Sequence, residues 1–335
     1  MYATTNAGQI LKFPLRTPPS IAPTSIAGPA NSSGMAVVSV PNLPQSPYLF
    51  VSDPGANAIR IYNVSAIDGE LSEATASPFL VGGTPGGMTS IGTLLYVATS
   101  AGSIEALNVN ADGSLSRILG SPFTAGSGLT HLAAISSFSV SGASFVYAAN
   151  TEDPNGSISA FTIEASGALE PIPGSPFSTV PNGGPAGFYG GGKFLYVALK
   201  NANAVAAFAI ADNGSLTPIA GSPFAAGQGT FSLAGADGFL FAINNSDGTI
   251  SSYSMNPSTG ALTAVTGSPF AGSVASGDTL YVDGLFFVPS AQFESIDAFG
   301  FDSAGAVQTL NASSFKATSG PVALASVFFP VIDPP

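Results

Sequence analysis

Cysteine is absent from this chain, which removes thiol nucleophiles, disulfides and thiolate metal sites together. Histidine occurs once, at His131, so a His-pair metal site is excluded and acid–base chemistry is left to one imidazole and the carboxylates. Charge is scarce at 8% of 335 residues, with a formal net charge of -12. The seven cations, Lys12, Arg16, Arg60, Arg117, Lys193, Lys200 and Lys316, are scattered singly, and without a basic cluster to neutralise a row of phosphates nucleic acid is not an expected partner. The mean hydropathy is positive, yet no run approaches ~18 uninterrupted apolar residues, so no membrane span is expected. A Gly-x-Ser-x-Gly elbow is missing, and Glu152-Asp153 is the one pair of adjacent acids, so neither a triad, a calcium site nor any other metal or cofactor is indicated.

What the chain has instead is a repeat. A branched aliphatic residue, an apolar residue three positions on and another two beyond that recur seven times. The copies are Ile10/Phe13/Leu15, Ile59/Tyr62/Val64, Ile104/Leu107/Val109, Ile158/Phe161/Ile163, Val205/Phe208/Ile210, Ile250/Tyr253/Met255 and Ile296/Phe299/Phe301, spaced 45 to 54 residues apart. Such a period marks one supersecondary unit of a stacked or closed array, and the whole of residues 1–335 is read as a single domain built from it. The odd offset of three within a strand-like pattern predicts a bulge between the first and second positions of each copy.

Apolar runs precede the copies: Tyr2-Ala3, then 49–51, 95–97, 146–148, 195–197, 240–242 and 280–282, each reading as a second strand covered on both faces. Gly-containing turns follow, as at Asp68-Gly69, Asp112-Gly113 and Asn213-Gly214, and lead to a fourth strand. That strand ends in Ser-Pro-Phe at 77–79, 121–123, 175–177, 222–224 and 268–270. Proline lacks a ladder donor, so this is the outer edge, with the Phe expected to plug the seam between sheets. Gly-rich stretches such as 86–91, 129–135, 183–189 and 230–235 are left as innermost strands. The expected fold is therefore all-β, a seven-bladed β-propeller of four-stranded antiparallel blades. Residues 1–6 read as strand rather than leader, any export signal being expected outside this chain, and 320–326 read as a first strand, so pairing of the N- and C-terminal strands should close the ring.

Leu-Tyr-Val runs, Asp/Asn-Gly-Ser-Leu hairpins and Gly-Ser-Pro-Phe endings together resemble the lactonase-type seven-bladed propellers, which include 6-phosphogluconolactonase-like and carboxymuconate-cyclase-like proteins and YVTN-type surface repeats. The resemblance implies a central channel lined by Arg, His and Glu, with a Pro-Arg-His element on an inner strand. Leu129-Thr130-His131-Leu132-Ala133 is the nearest match, keeping the His and replacing the Arg by Thr.

His131 is accordingly the candidate catalytic base, with Glu152 or Asp153 as its partner. Asp53, Asp153, Lys200, Asn245 and Asp283 all follow an expected second strand and should share one mouth of the channel, as candidate ligand-binding residues. The missing Arg and a charge-poor exterior, which favours self-association, point to an exported, non-catalytic propeller used for binding or self-assembly at the cell surface, in the periplasm or outside the cell. The alternative is a hydrolase acting on a sugar lactone at the channel, and either reading admits a small-molecule or carbohydrate ligand.

Overall fold

The computed structural model describes residues 1–13, 23–41, 47–125, 135–140, 142–151, 153, 156–317 and 319–327. Seven antiparallel sheets are arranged as a seven-bladed propeller, with strands and no helix among the described residues. Blade 1 is shared between the ends of the chain, and blades 2 to 7 span 35–80, 85–124, 135–178, 185–225, 230–271 and 280–316. In each the strands run from the channel outward in chain order, as a meander. Turns between second and third strands therefore lie at the same end as the connections between blades, here called the mouth, and the other turns lie at the far end.

Closure is as the sequence predicts. Pro321–Ala325 forms the inner strand of blade 1 and pairs antiparallel with Tyr2–Thr5, Tyr2 opposite Ala325 and Ala3 opposite Leu324. The Ser-Pro-Phe phenylalanines also sit where expected, Phe79 against a core shared by blades 2 and 3, and Phe123, Phe177, Phe224 and Phe270 in the next four seams.

The third strands, by contrast, carry no bulge against their second strands. Tyr48–Asp53 and Ala58–Val64 run in unbroken register, with Leu49 opposite Tyr62 and Ser52 opposite Ile59. The offset of three is a change of face. Ile59 and Ile61 pack toward blade 3, while Tyr62 and Val64 pack toward blade 1, because a blade stands between two neighbours and buries both sides. Register breaks fall near the start of the inner strands, as at Val97/Thr99, Pro185/Phe188 and Thr230/Ser232, and in blade 7 also between Asp297 and Phe299, where the third strand meets the outer one.

The outer strand also departs from the simple four-strand picture. In blades 2 to 6 it is split into two short pieces, such as Leu115–Arg117 and Phe123–Thr124, both paired to the third strand. Between them the chain turns through Gly120, at φ 91, and the serine of the motif restores the lost ladder bond: Ala106 N donates to Ser121 Oγ at 2.9 Å. The same bond recurs from Ile61, Ala160, Ala207 and Ser252 to Ser77, Ser175, Ser222 and Ser268. Ser-Pro-Phe is thus one device, a hydroxyl replacing an edge-strand carbonyl and an aromatic filling the seam beside it.

Two strand assignments shift. In blade 7, Leu280–Val282 is the inner strand and Leu285–Ser290 the second, one place later than the apolar run at 280–282 suggests. In blade 4 the inner strand is Ile135–Val140, beyond the predicted 129–135, and residues 126–134 lie outside the described set.

Candidate active site

Two of the sequence-predicted site residues, His131 and Glu152, lie outside the described residues. Of the others, four sit at the mouth. Asp53 ends the second strand of blade 2 with 7% of its surface exposed, and both carboxylate oxygens are engaged: Ala56 N donates to Oδ1 at 3.1 Å and Arg60 Nε to Oδ2 at 2.9 Å. Arg60 also pairs with Glu73 at 3.0 Å, so Asp53 is half of a buried turn cap and ion pair. Asp153 accepts from Ser157 Oγ in the corresponding turn of blade 4. Asn245 clamps the connection into blade 7, its Oδ1 accepting from Ala275 N at 2.9 Å and its Nδ2 donating to Ala275 O at 2.6 Å.

Lys200 is different. It is exposed on the mouth turn of blade 5 with its Nζ 5.9 Å from the centre of the Phe231 ring, which belongs to the inner strand Thr230–Ala236 of blade 6. A cation held over an aromatic face by that weak attraction remains available to an anion.

Asp283 leaves the group. It occupies the turn between Leu280–Val282 and Leu285–Ser290 at φ 49, which is at the far end of the channel. The displacement follows from the shifted strand assignment in blade 7: what looks like the residue after a second strand is the residue after an inner one.

The same shift hides a carboxylate that does belong at the mouth. Asp278 lies in the connection that becomes the inner strand of blade 7. Ser276 N bonds to Pro289 O at 2.8 Å, and the next paired residues are Leu280 and Phe287, so Gly277, Asp278 and Thr279 stand opposite Val288 alone. Three residues against one is a bulge, the arrangement that turns a side chain out of the ladder. Both flanks are tied to neighbouring inner strands: Ser276 Oγ donates to Pro321 O in blade 1, and Thr279 N donates to Ser232 Oγ in blade 6 at 2.8 Å. Gly277 is required here, since an added Cβ would lie 1.7 Å from Val322 O.

By surface area Asp278 is exposed, so water reaches it, while desolvation by the protein around it pushes its carboxyl above the usual carboxylate range. Solvent contact tempers the size of that effect and leaves its direction. Asp278, Lys200, Phe231 and Asn245 come from blades 5, 6 and 7, one sector of the mouth. A water-accessible carboxylate with a raised pKa can exchange a proton with water, and an exposed ammonium at the same mouth can hold an anion. Among the described residues no cluster of three or more acidic or histidine side chains could bind a metal.

Residues 189–275 match the family model described as lactonase, 7-bladed beta-propeller. No curated protein matches the chain in sequence. Among solved structures, a candidate 6-phosphogluconolactonase of Bacteroides fragilis superposes with a TM-score of 0.77 at 18% identity, covering 96% of this chain and 95% of its own. A periplasmic gluconolactonase of Pseudomonas aeruginosa gives 0.73 at 19% identity, covering 98% and 99%. A further candidate 6-phosphogluconolactonase, from Bacteroides uniformis, gives 0.78 at 17%, covering 96% and 97%. At such identities the shared property is the fold. The resemblance read from the repeats stands at the level of the fold.

Proposed function

We propose that this chain is a lactone hydrolase acting on a sugar-derived lactone at the mouth of its central channel, with Asp278 as general base, and that it works outside the cytoplasm. One observation carries the reading: a carboxylate in the bulge that opens the inner strand of blade 7, reached by water and desolvated by the protein around it. The lactonase family match and the gluconolactonase fold neighbours, one of them periplasmic, support the substrate class and the location.

The chemistry balances with this one group. The Asp278 carboxylate accepts a proton from water as the water oxygen adds to the lactone carbonyl carbon. The tetrahedral intermediate then collapses by breaking the ring C–O bond, and the departing alkoxide takes the proton back from the Asp278 carboxyl. Lys200 supplies positive charge at the same mouth, where the oxyanion develops and the product carries a carboxylate.

Glucono-δ-lactone hydrolysis followed in a pH-stat tests the reading. The protein should exceed the spontaneous rate, and Asp278→Asn should lower kcat by ~100-fold or more, as loss of a general base does, without moving the melting temperature. A base must be deprotonated, so activity should fall on acidification through an inflection above ~3.9, the value of a free aspartate. Wild-type turnover unchanged in Asp278→Asn would overturn the assignment. His131→Ala, measured alongside, reports on the residue implied by family resemblance.

A further inference from the structure

Of the seven cations in the chain, six lie among the described residues, and five of those are engaged or placed away from the channel mouth. Lys12 pairs with Glu70 and donates to Asp68 O at 3.2 Å, and Lys193 Nζ lies 3.8 Å from Asp212 Oδ1, both at the far end. Arg60 is held between Asp53 and Glu73. Arg117 donates to the buried Glu105 at 3.1 Å, and its guanidinium covers the Phe79 ring 4.9 Å away. Lys316 ends the outer strand of blade 7, three strand spacings, about 15 Å, from the inner one. Arg16 lies outside the described residues, in a link whose two ends, Lys12 and Thr24, are both at the far end. His131, also outside them, can add at most one charge. Lys200 is left, on the mouth turn of blade 5 beside an inner strand. Carboxylates are distributed the other way. Asp247 and Glu294 occupy the mouth turns of blades 6 and 7 and Asp278 opens the inner strand of blade 7, so this sector of the mouth sets three carboxylates against one ammonium.

We propose that the mouth takes a neutral sugar lactone without a phosphate group and turns away the same ring when it carries one. The identity of the ring rests on the lactone-hydrolase reading of the mouth; its lack of phosphate rests on these charges. A phosphomonoester brings nearly two negative charges at neutral pH and three strong acceptor oxygens. Sites for such a group gather arginine forks, lysines or a helix N-terminus. Here the described residues form strands and no helix, and both described arginines are committed to carboxylates. Charges act over ~8 Å at physiological salt, so a phosphate in this sector feels the carboxylates of blades 6 and 7 as well as Lys200, and the balance is repulsive. A lactone has no charge to repel. Opening it creates one carboxylate, which one ammonium matches.

Calorimetric titration with gluconate and with 6-phosphogluconate tests the charge rule without needing turnover, since these are the acids that the two lactones yield. At ~10 mM salt the intact chain should bind gluconate about tenfold or more tightly than 6-phosphogluconate, and ~1 M salt, which shortens the range of charge to ~3 Å, should close most of that gap. Lys200→Met should weaken gluconate binding about tenfold. Glu294→Lys should bring the 6-phosphogluconate affinity up toward that of gluconate, with the melting curves of both variants in place. Turnover separates the charge rule from the hydrolase reading. A chain that hydrolyses 6-phosphoglucono-δ-lactone as fast as glucono-δ-lactone keeps the hydrolase reading and loses the charge rule, whereas salt-sensitive selection of gluconate without hydrolysis keeps the charge rule alone. Equal or tighter binding of 6-phosphogluconate, a preference indifferent to salt, or no saturable binding of either acid would each overturn the proposal.

Discussion

A single hydroxyl recurs as the fastener between blades. In the second strand, the tyrosines of the Leu-Tyr-Val runs reach across the seam to the carbonyl of the hairpin glycine in the next blade: Tyr2 to Gly69 at 2.6 Å, Tyr96 to Gly167 at 2.9 Å, Tyr147 to Gly214 at 2.8 Å and Tyr196 to Gly260 at 2.9 Å. Where blade 6 has Phe241 in that slot, Ser252 of the adjacent strand takes over, donating to Gly305 O at 2.6 Å. Tyr96→Phe would keep the ring and strand an inter-blade carbonyl, at a cost of about 1 to 2 kcal/mol in a denaturant titration. Burial also sets a pH limit, pushing Tyr2 and Tyr196 up to about 12 and Tyr96 and Tyr147 up further. The folded chain holds these protons more tightly than the unfolded one, so this contribution is whole below ~10 and is lost as pH rises through the folded values. Urea midpoints should therefore hold to about pH 10 and then fall steeply, with tyrosinate absorbance appearing together with unfolding. At this scale the sequence displays the tyrosines but not their partners, because the acceptor is a backbone carbonyl about 65 residues away. Asp278 was illegible for a related reason: its raised pKa comes from desolvation by the folded protein around it.

Strands were far more legible than sites, and the exceptions have physical causes. Seven copies of one pattern sufficed for the ring, but the offset of three misleads if a strand is assumed to have one buried face. In blade 7 the interval carried a warning. The apolar run begins 9 to 12 residues before the third-strand copy in blades 2 to 6, whereas 280 precedes 296 by 16, and Phe286 restores the usual spacing. Only the interval, and not the composition, separates that inner strand from a second one. The Ser-Pro-Phe element makes its own prediction. Ser175→Ala removes the acceptor of Ala160 N, 2.9 Å away, at the interruption of the outer strand, and should cost about 1 to 2 kcal/mol. Gly214→Ala should cost more, about 2 to 4 kcal/mol, because φ 80 is strained for alanine and the new methyl would meet Phe145 at 2.5 Å. Chemical denaturation of the two variants, ranked against wild type, checks the order; a serine variant costlier than the glycine one would contradict it.

For the whole molecule, the decisive joint is blade 1, where strands from opposite ends of the chain share a sheet. Tyr2–Thr5 has Gln9–Lys12 on its outer side and only Pro321–Ala325 on its inner side. Thr4 Oγ1 accepts from Ala323 N at 3.2 Å, Asn6 N donates to Gly320 O at 2.9 Å, and Ser276 Oγ ties Pro321 to blade 7. Ala323 and Ala325 are buried in the core between blades 1 and 2. A chain ending at Gly320 would lose the inner ladder of one blade, bare that core and expose both the mouth and the flanks of the second strand of blade 1. A chain ending at Val327 keeps every one of these contacts. Thermal melts of the two truncations should separate widely, the longer one close to the intact chain and the shorter one lower by well over the ~2 to 4 °C that about 1 kcal/mol shifts a domain of 150 to 250 residues. A synthetic peptide spanning 319–327, added in excess to the shorter chain, should recover part of the difference by refilling the strand position, since binding to the folded form alone raises stability in proportion to the logarithm of its concentration. Equal melting of the two truncations would mean that six blades hold the ring without the seventh being closed.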